Sequence, residues 1–132
     1  MIETYSTDIT VASGSIIPFN LLANSKGCSV KKLSTTMFRL NAPGIYKIDC
    51  SASVVGSAAG EIEIGLTKNG SVLPQTLASV TAANTTSVYN LSFSTCVIVP
   101  NACCCSDDVI ISVINNGVGS VFNNIDLLVT KL

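Results

Sequence analysis

Apolar and polar residues alternate along much of this chain, on the two-residue period of strands with one buried face. Over residues 45–55, Tyr46, Ile48, Cys50, Ala52 and Val54 point one way, and Lys47, Asp49, Ser51 and Ser53 the other. Residues 60–68 repeat the pattern, with Ile62, Ile64 and Leu66 inward and Glu61, Glu63 and Thr67 outward. Asn69-Gly70 then predicts a tight hairpin, with residues 71–73 starting the return strand. Residues 87–99 set Tyr89, Leu91, Phe93, Val97 and Val99 on one face. Residues 107–114 differ, because Val109, Ile111 and Val113 share one face while Ile110 and Ile114 occupy the other. A strand apolar on both sides predicts burial on both sides, as at a subunit contact. Residues 9–11, 16–22, 28–31, 36–40 and 125–132 supply the remaining strands, and 77–83 at most a short helical turn that Val80 and Thr81 weaken.

Eight to ten strands separated by Gly, Pro, Asn and Ser turns predict an all-β antiparallel sandwich or barrel. A length of 132 residues fits one domain. The chain is 48% hydrophobic and its mean hydropathy is +0.56, yet no run approaches the ~18 apolar residues of a membrane span. The excess apolar character is assigned to a core plus a buried subunit contact. Seven Lys and Arg against eight Asp and Glu leave a net charge of -1, which gives no electrostatic footprint for nucleic acid. The absence of His removes the commonest general base and metal ligand. No heptad, Gly-X-Y or low-complexity tract interrupts the pattern. Met1-Ile2-Glu3-Thr4-Tyr5 lacks the basic and apolar regions of a secretory signal, so the expectation is a chain that folds in the cytosol where it is made or is exported by a route it does not itself encode, without an obligatory disulfide framework for its six Cys.

The run Leu40-Asn41-Ala42-Pro43-Gly44-Ile45-Tyr46-Lys47-Ile48 resembles the C1q/TNF-like jelly rolls, and especially their bacterial and phage members, which include spore-surface glycoprotein heads and small phage particle proteins. Ile16-Ile17-Pro18-Phe19-Asn20 is similar to the family's early strand, Ile64-Gly65-Leu66-Thr67-Lys68-Asn69-Gly70 to its central hairpin, Asp107-Asp108-Val109-Ile110-Ile111-Ser112-Val113 to its penultimate strand, and residues 124–132 to its last. The likeness covers about residues 9–132 and leaves 1–8 as an N-terminal arm or tether. Ser106 stands where the family usually has Gly, a Cys cluster precedes it, and aromatics are few, which argues against the receptor-binding roles of animal members. The resemblance implies a ten-stranded jelly roll that forms a tight homotrimer, with no catalysis and no cofactor. It places Tyr46 with its ring in the sandwich and its hydroxyl near the rim or the trimer axis. Tyr46, Tyr89, Phe93, Val109, Ile111, Val113 and Leu127 are the expected core or trimer-packing residues.

Cys103-Cys104-Cys105 admits three readings: a metal site around a three-fold axis, a disulfide to Cys28, Cys50 or Cys96, or a reduced turn of small buried residues. Adjacent cysteines share one tetrahedral ion poorly, so no metal is assigned. Asp107 and Asp108 read as a calcium site or as a solvated turn that starts a strand, and the oxygen supply for calcium is thin. Glu61 and Glu63 read as a solvated face rather than a catalytic pair. Ser is plentiful, but no G-x-S-x-G motif accompanies it. Lys31-Lys32 is too small for a nucleic-acid patch, and the sequons at Asn84 and Asn90 are taken as chance.

These features together predict a homotrimeric structural virion protein, a bacteriophage capsid decoration or head-fibre knob on the virion surface. Its expected partners are further copies of itself, the major capsid protein or another virion protein, and host-surface glycans contacted by loops 57–60, 75–84 and 115–120. Neither nucleic acid nor membrane insertion is expected. The alternatives are a bacterial spore- or cell-surface C1q-like head domain, or a carbohydrate-binding module, which the scarcity of aromatic residues disfavours.

Overall fold

The computed structural model describes residues 1–100 and 109–132. The described strands in chain order are β1 (Ile2–Val11), β2 (Leu21–Ser25), β3 (Val30–Lys32), β4 (Phe38–Leu40), β5 (Gly44–Gly56), β6 (Gly60–Lys68), β7 (Ser71–Val72), β8 (Ala78–Ala82), β9 (Tyr89–Val99), β10 (Val109–Asn115) and β11 (Ser120–Lys131). They form two antiparallel sheets, ordered β2-β1-β11-β5-β9 and β3-β4-β10-β6-β7, with β8 also paired to β6. This is the predicted antiparallel jelly roll.

The alternating strands put their apolar rows between the sheets. Ile48 and Val54 of β5, Ile62, Ile64 and Leu66 of β6, Ile111 and Val113 of β10, and Phe122, Ile125, Leu127 and Val129 of β11 are all fully buried. Phe19 and Phe38 meet edge to face near one end, with ring centroids 5.9 Å apart. Asn69 and Gly70, both at positive φ, turn β6 into β7 as the Asn-Gly pair predicts. Gly44 opens β5 at φ 146, a backbone conformation that calls for glycine, while a Cβ there would meet only the flexible end of Lys131.

Several expectations need correction. Residues 1–8 are not a tether, because Ile2 to Thr7 pair with β11 and the start of β1 also pairs with β2. The inward positions here include Thr4 and Ser6, whose hydroxyls donate to Leu21 O and Pro18 O, each at 2.7 Å. Polar inward residues conceal the strand period from the sequence. Residues 77–83 hold β8, after a single 3-10 turn at Pro74–Thr76. Thr67 faces away from the core yet is buried, and its hydroxyl bonds Ser112 O on the adjacent strand.

Candidate functional site

Two surfaces could mediate association: the outward faces of the two sheets. On the β3-β4-β10-β6-β7 sheet, the chain covers part of its own face. The close packing of Leu77, Val72 and Thr76 over Gly65 caps β6, and Thr76 Oγ1 accepts from Leu66 N at 2.8 Å. Ile110 and Ile114 of β10 are half-buried and line a concavity of about 420 Å³ with Ile16 and Met37. The second apolar face of β10 is therefore covered only in part within the chain.

The outward face of the β2-β1-β11-β5-β9 sheet is open. Its cross-strand register builds side-chain rows. Ile45 pairs with Ile98, and Leu132 donates its N–H to Ile45 O, which sets Leu132, Ile45 and Ile98 side by side at one end. These three are 70%, 45% and 61% exposed, an apolar row facing solvent. The next rows run Thr130–Lys47–Cys96, then Glu3–Leu128–Asp49–Ser94, then Tyr5–Asp126–Ser51–Ser92, then Thr7–Asn124–Ser53–Asn90. Because most of these side chains are small, the middle of the face is hollowed. One trough of about 450 Å³ lies over Ser51, Ser53, Asn90, Ser92, Asn124 and Asp126. A second, of about 420 Å³, lies over Glu3, Asp49, Ser94, Asp126 and Leu128. Asp126 borders both, and its carboxyl is pushed up to about 6, by loss of solvent first and then by the hydrogen bond and negative charge of Glu3.

The residues expected to pack a core or a trimer divide clearly. Tyr46, Phe93, Val109, Ile111, Val113 and Leu127 are buried inside this one chain, and Tyr89 is half-buried at the start of β9. None belongs to the outward rows of the open sheet. Tyr46 donates its hydroxyl to Ala42 O at 2.7 Å, has Ser29 O at 3.3 Å as an alternative acceptor, and accepts from Ala42 N at 3.2 Å. The ring therefore pins the Pro43-Gly44 corner to the loop before β3.

Cys28 and Cys96 are exposed free thiols, and Cys50 is buried in the core with its pKa raised by loss of solvent and by Asp126. Cys103, Cys104 and Cys105, with Asp107 and Asp108, lie outside the described residues, and so do the metal, disulfide and calcium readings attached to them. Glu61 and Glu63 do interact: the hydrogen bond and charge of Glu63 raise the pKa of Glu61. Lys32 turns inward, donates to Phe19 O at 2.6 Å, and has a pKa lowered by burial, so Lys31-Lys32 is not a basic patch. Of the expected solvent loops, residues 57–59 and 83–84 are exposed, while Thr76 and Ala82 within 75–84 are buried. Asn115 and Ser120 are instead fully buried. Asn115 Nδ2 donates to Val11 O and Val118 O, both at 3.1 Å, and its Oδ1 accepts from Gly117 N at 3.2 Å, so it ties β1 to the β10–β11 turn.

No family model matches the chain, and no curated protein matches it. Solved structures do. PRD1 vertex protein P5, a phage protein, is similar over 99% of this chain and 95% of its own, with 18% identity and a TM-score of 0.63. Murine APRIL matches over 99% and 98%, with 9% identity and a TM-score of 0.67. The globular domain of the zebrafish complement 1qA protein matches over 94% and 93%, with 13% identity and a TM-score of 0.59. At these identities the likeness is one of fold. The chain has a C1q/TNF-like jelly-roll fold, and phage PRD1 supplies one of its structural relatives.

Proposed function

We propose that this chain is a homotrimeric structural protein of a phage-type virion, a decoration or head-fibre knob on the particle surface that performs no catalysis. The observation that carries the reading is the exposed Leu132–Ile45–Ile98 row on the open sheet face. An apolar row of this kind gains from being covered. A second copy related by rotation would bring the same surface or its complement. The likeness of nearly the whole chain to PRD1 vertex protein P5 supports a place on a particle. In this reading the exposed loops at 57–59 and 83–86 stay outside the assembly, and Ser57, Asn84, Thr85 and Thr86 make weak contacts with host-surface glycans.

Light scattering on a sizing column, with and without reductant, tests the assembly. The expected mass is three times the 13.7 kDa of one chain, unchanged by reductant. A monomer at every concentration overturns the trimer. Peptide mass analysis of purified virions tests the location, and absence of the chain from the particle overturns the virion role.

A further inference from the structure

Glu3 and Asp126 stand diagonally on the open sheet face, since Tyr5 pairs with Asp126 and Glu3 with Leu128 across β1 and β11. Asp126 Oδ1 is buried and meets no hydrogen-bond donor. Glu3 Oε1 accepts from Asn24 Nδ2 of β2 at 2.8 Å. From β1 the pair is also faced by Tyr5, and from β5 by Asp49 with Lys47, whose Nζ lies 3.9 Å from Asp49 Oδ2. From β9 come Ser92 and Ser94, with the Cys96 thiol beyond them; Thr130 and Lys131 lie farther along β11, and the Cys50 thiol lies on the core side. Three carboxyls, Glu3, Asp49 and Asp126, thus line one hollow, and Lys47 is engaged by Asp49, which leaves Glu3 and Asp126 without a cation among the described residues. A proton shared between them would supply the donor that the buried oxygen lacks.

We propose that the Glu3–Asp126 carboxyl pair makes self-association through this face pH-dependent, firm in mild acid and weaker as the solution turns alkaline. This rests on the reading that copies of the chain bury this face. The raised pKa of Asp126 in the single chain agrees with it. Covering the trough removes more water and raises the Asp126 pKa further, so the assembly binds more protons than the free chains. The added affinity is complete below about 6, the pKa in the single chain, and is lost as pH rises through the higher value in the assembly. One further unit at each of three copies corresponds to about tenfold per copy, or about a thousandfold in the overall dissociation constant.

Sedimentation equilibrium from pH 5.5 to 8.5 at constant ionic strength, on the full chain and on Asp126→Asn and Glu3→Gln, tests this. The expected result is a dissociation constant that rises at least tenfold between pH 6 and 8 in the parent chain, a flat profile for Asp126→Asn and a shallower slope for Glu3→Gln. Trimers with the same slope in all three proteins, or a flat parent profile, overturn the pH inference and leave the assembly standing. Folded monomers of all three at every pH overturn the assembly reading, and the pH inference with it.

Discussion

Replacing Ile98 should separate the subunits and leave the fold intact. Ile98 sits on β9 with its side chain outward and 61% exposed, beside Ile45 and in the row that ends at Leu132. Full burial of an isoleucine contributes about 1.5–3 kcal/mol. Some of its surface is already covered, so covering the rest in an interface is worth ~1–2 kcal/mol per copy. Three copies give ~4 kcal/mol, and at 1.4 kcal/mol per decade Ile98→Ala weakens the trimer about a thousandfold. Ile98→Asp weakens it more, because three carboxylates would be driven into an apolar contact. The single chain loses little, since a substitution at an outward position typically changes stability by less than about 0.5 kcal/mol. The assay is sedimentation equilibrium across a hundredfold concentration range, with circular dichroism and thermal unfolding on the same samples. A folded Ile98→Asp monomer is expected. An unchanged trimer in Ile98→Asp and in the double variant with Ile45→Asp would refute the assignment of this row to the interface. A chain that loses its strand signal would refute the claim that Ile98 serves assembly and not folding.

Other consequences are local to the fold. Tyr46→Phe removes the hydroxyl that joins Ala42 to the corner and leaves Ala42 N and O without it, at a cost of about 1–3 kcal/mol in urea unfolding. No change in the urea midpoint would show that the corner stands without the pin. Asn115→Ala strips the fully buried amide of its bonds to Val11, Val118 and Gly117, and should lower stability by about 2–4 kcal/mol in the same assay. Asn115→Asp should not rescue it, because a carboxylate cannot donate to Val11 O and Val118 O. In native protein, peptide-mapped alkylation should label Cys28 and Cys96 well before Cys50, whose burial and raised pKa suppress the thiolate. Equal labelling of all three would mean that the β5 core opens readily.

Much of the sandwich was legible because β5, β6 and β9 obey the two-residue period with few exceptions. The parts that escaped did so for identifiable reasons. In β1 the inward positions Thr4 and Ser6 are polar and satisfied by backbone acceptors across the strand, so hydropathy alone reads the segment as an arm. In β11 the pairing with β5 skips from Phe122–Val54 to Asn124–Ser53, a bulge at Asn123 that leaves two exposed asparagines in succession. The period therefore breaks there, and the sequence shows a strand from residue 125 where the structure begins one at Ser120. Thr67 and Asn115 are misread for a related cause. Their burial comes from Ser112 on the adjacent strand and from the β10–β11 turn, neither of which a local pattern contains.

The same contrast decides where association belongs. The sequence pointed to β10 as the contact strand because it is apolar on both sides. In the fold, Val109, Ile111 and Val113 fill the core, while Ile110 and Ile114 are half-buried on a face that Val72, Thr76 and Leu77 cover in part. Among the exposed large apolar residues, three that lie far apart in the chain, Ile45, Ile98 and Leu132, stand in one row on the open face. Each is a single outward apolar position at or beside a strand end and draws no attention in its own segment. Antiparallel pairing of β9 with β5 and of β5 with β11 aligns them in one row. The interface proposed here is thus a property of register, and a change that shifts β9 by two residues against β5 should abolish assembly while preserving every core residue on its side of the sheet.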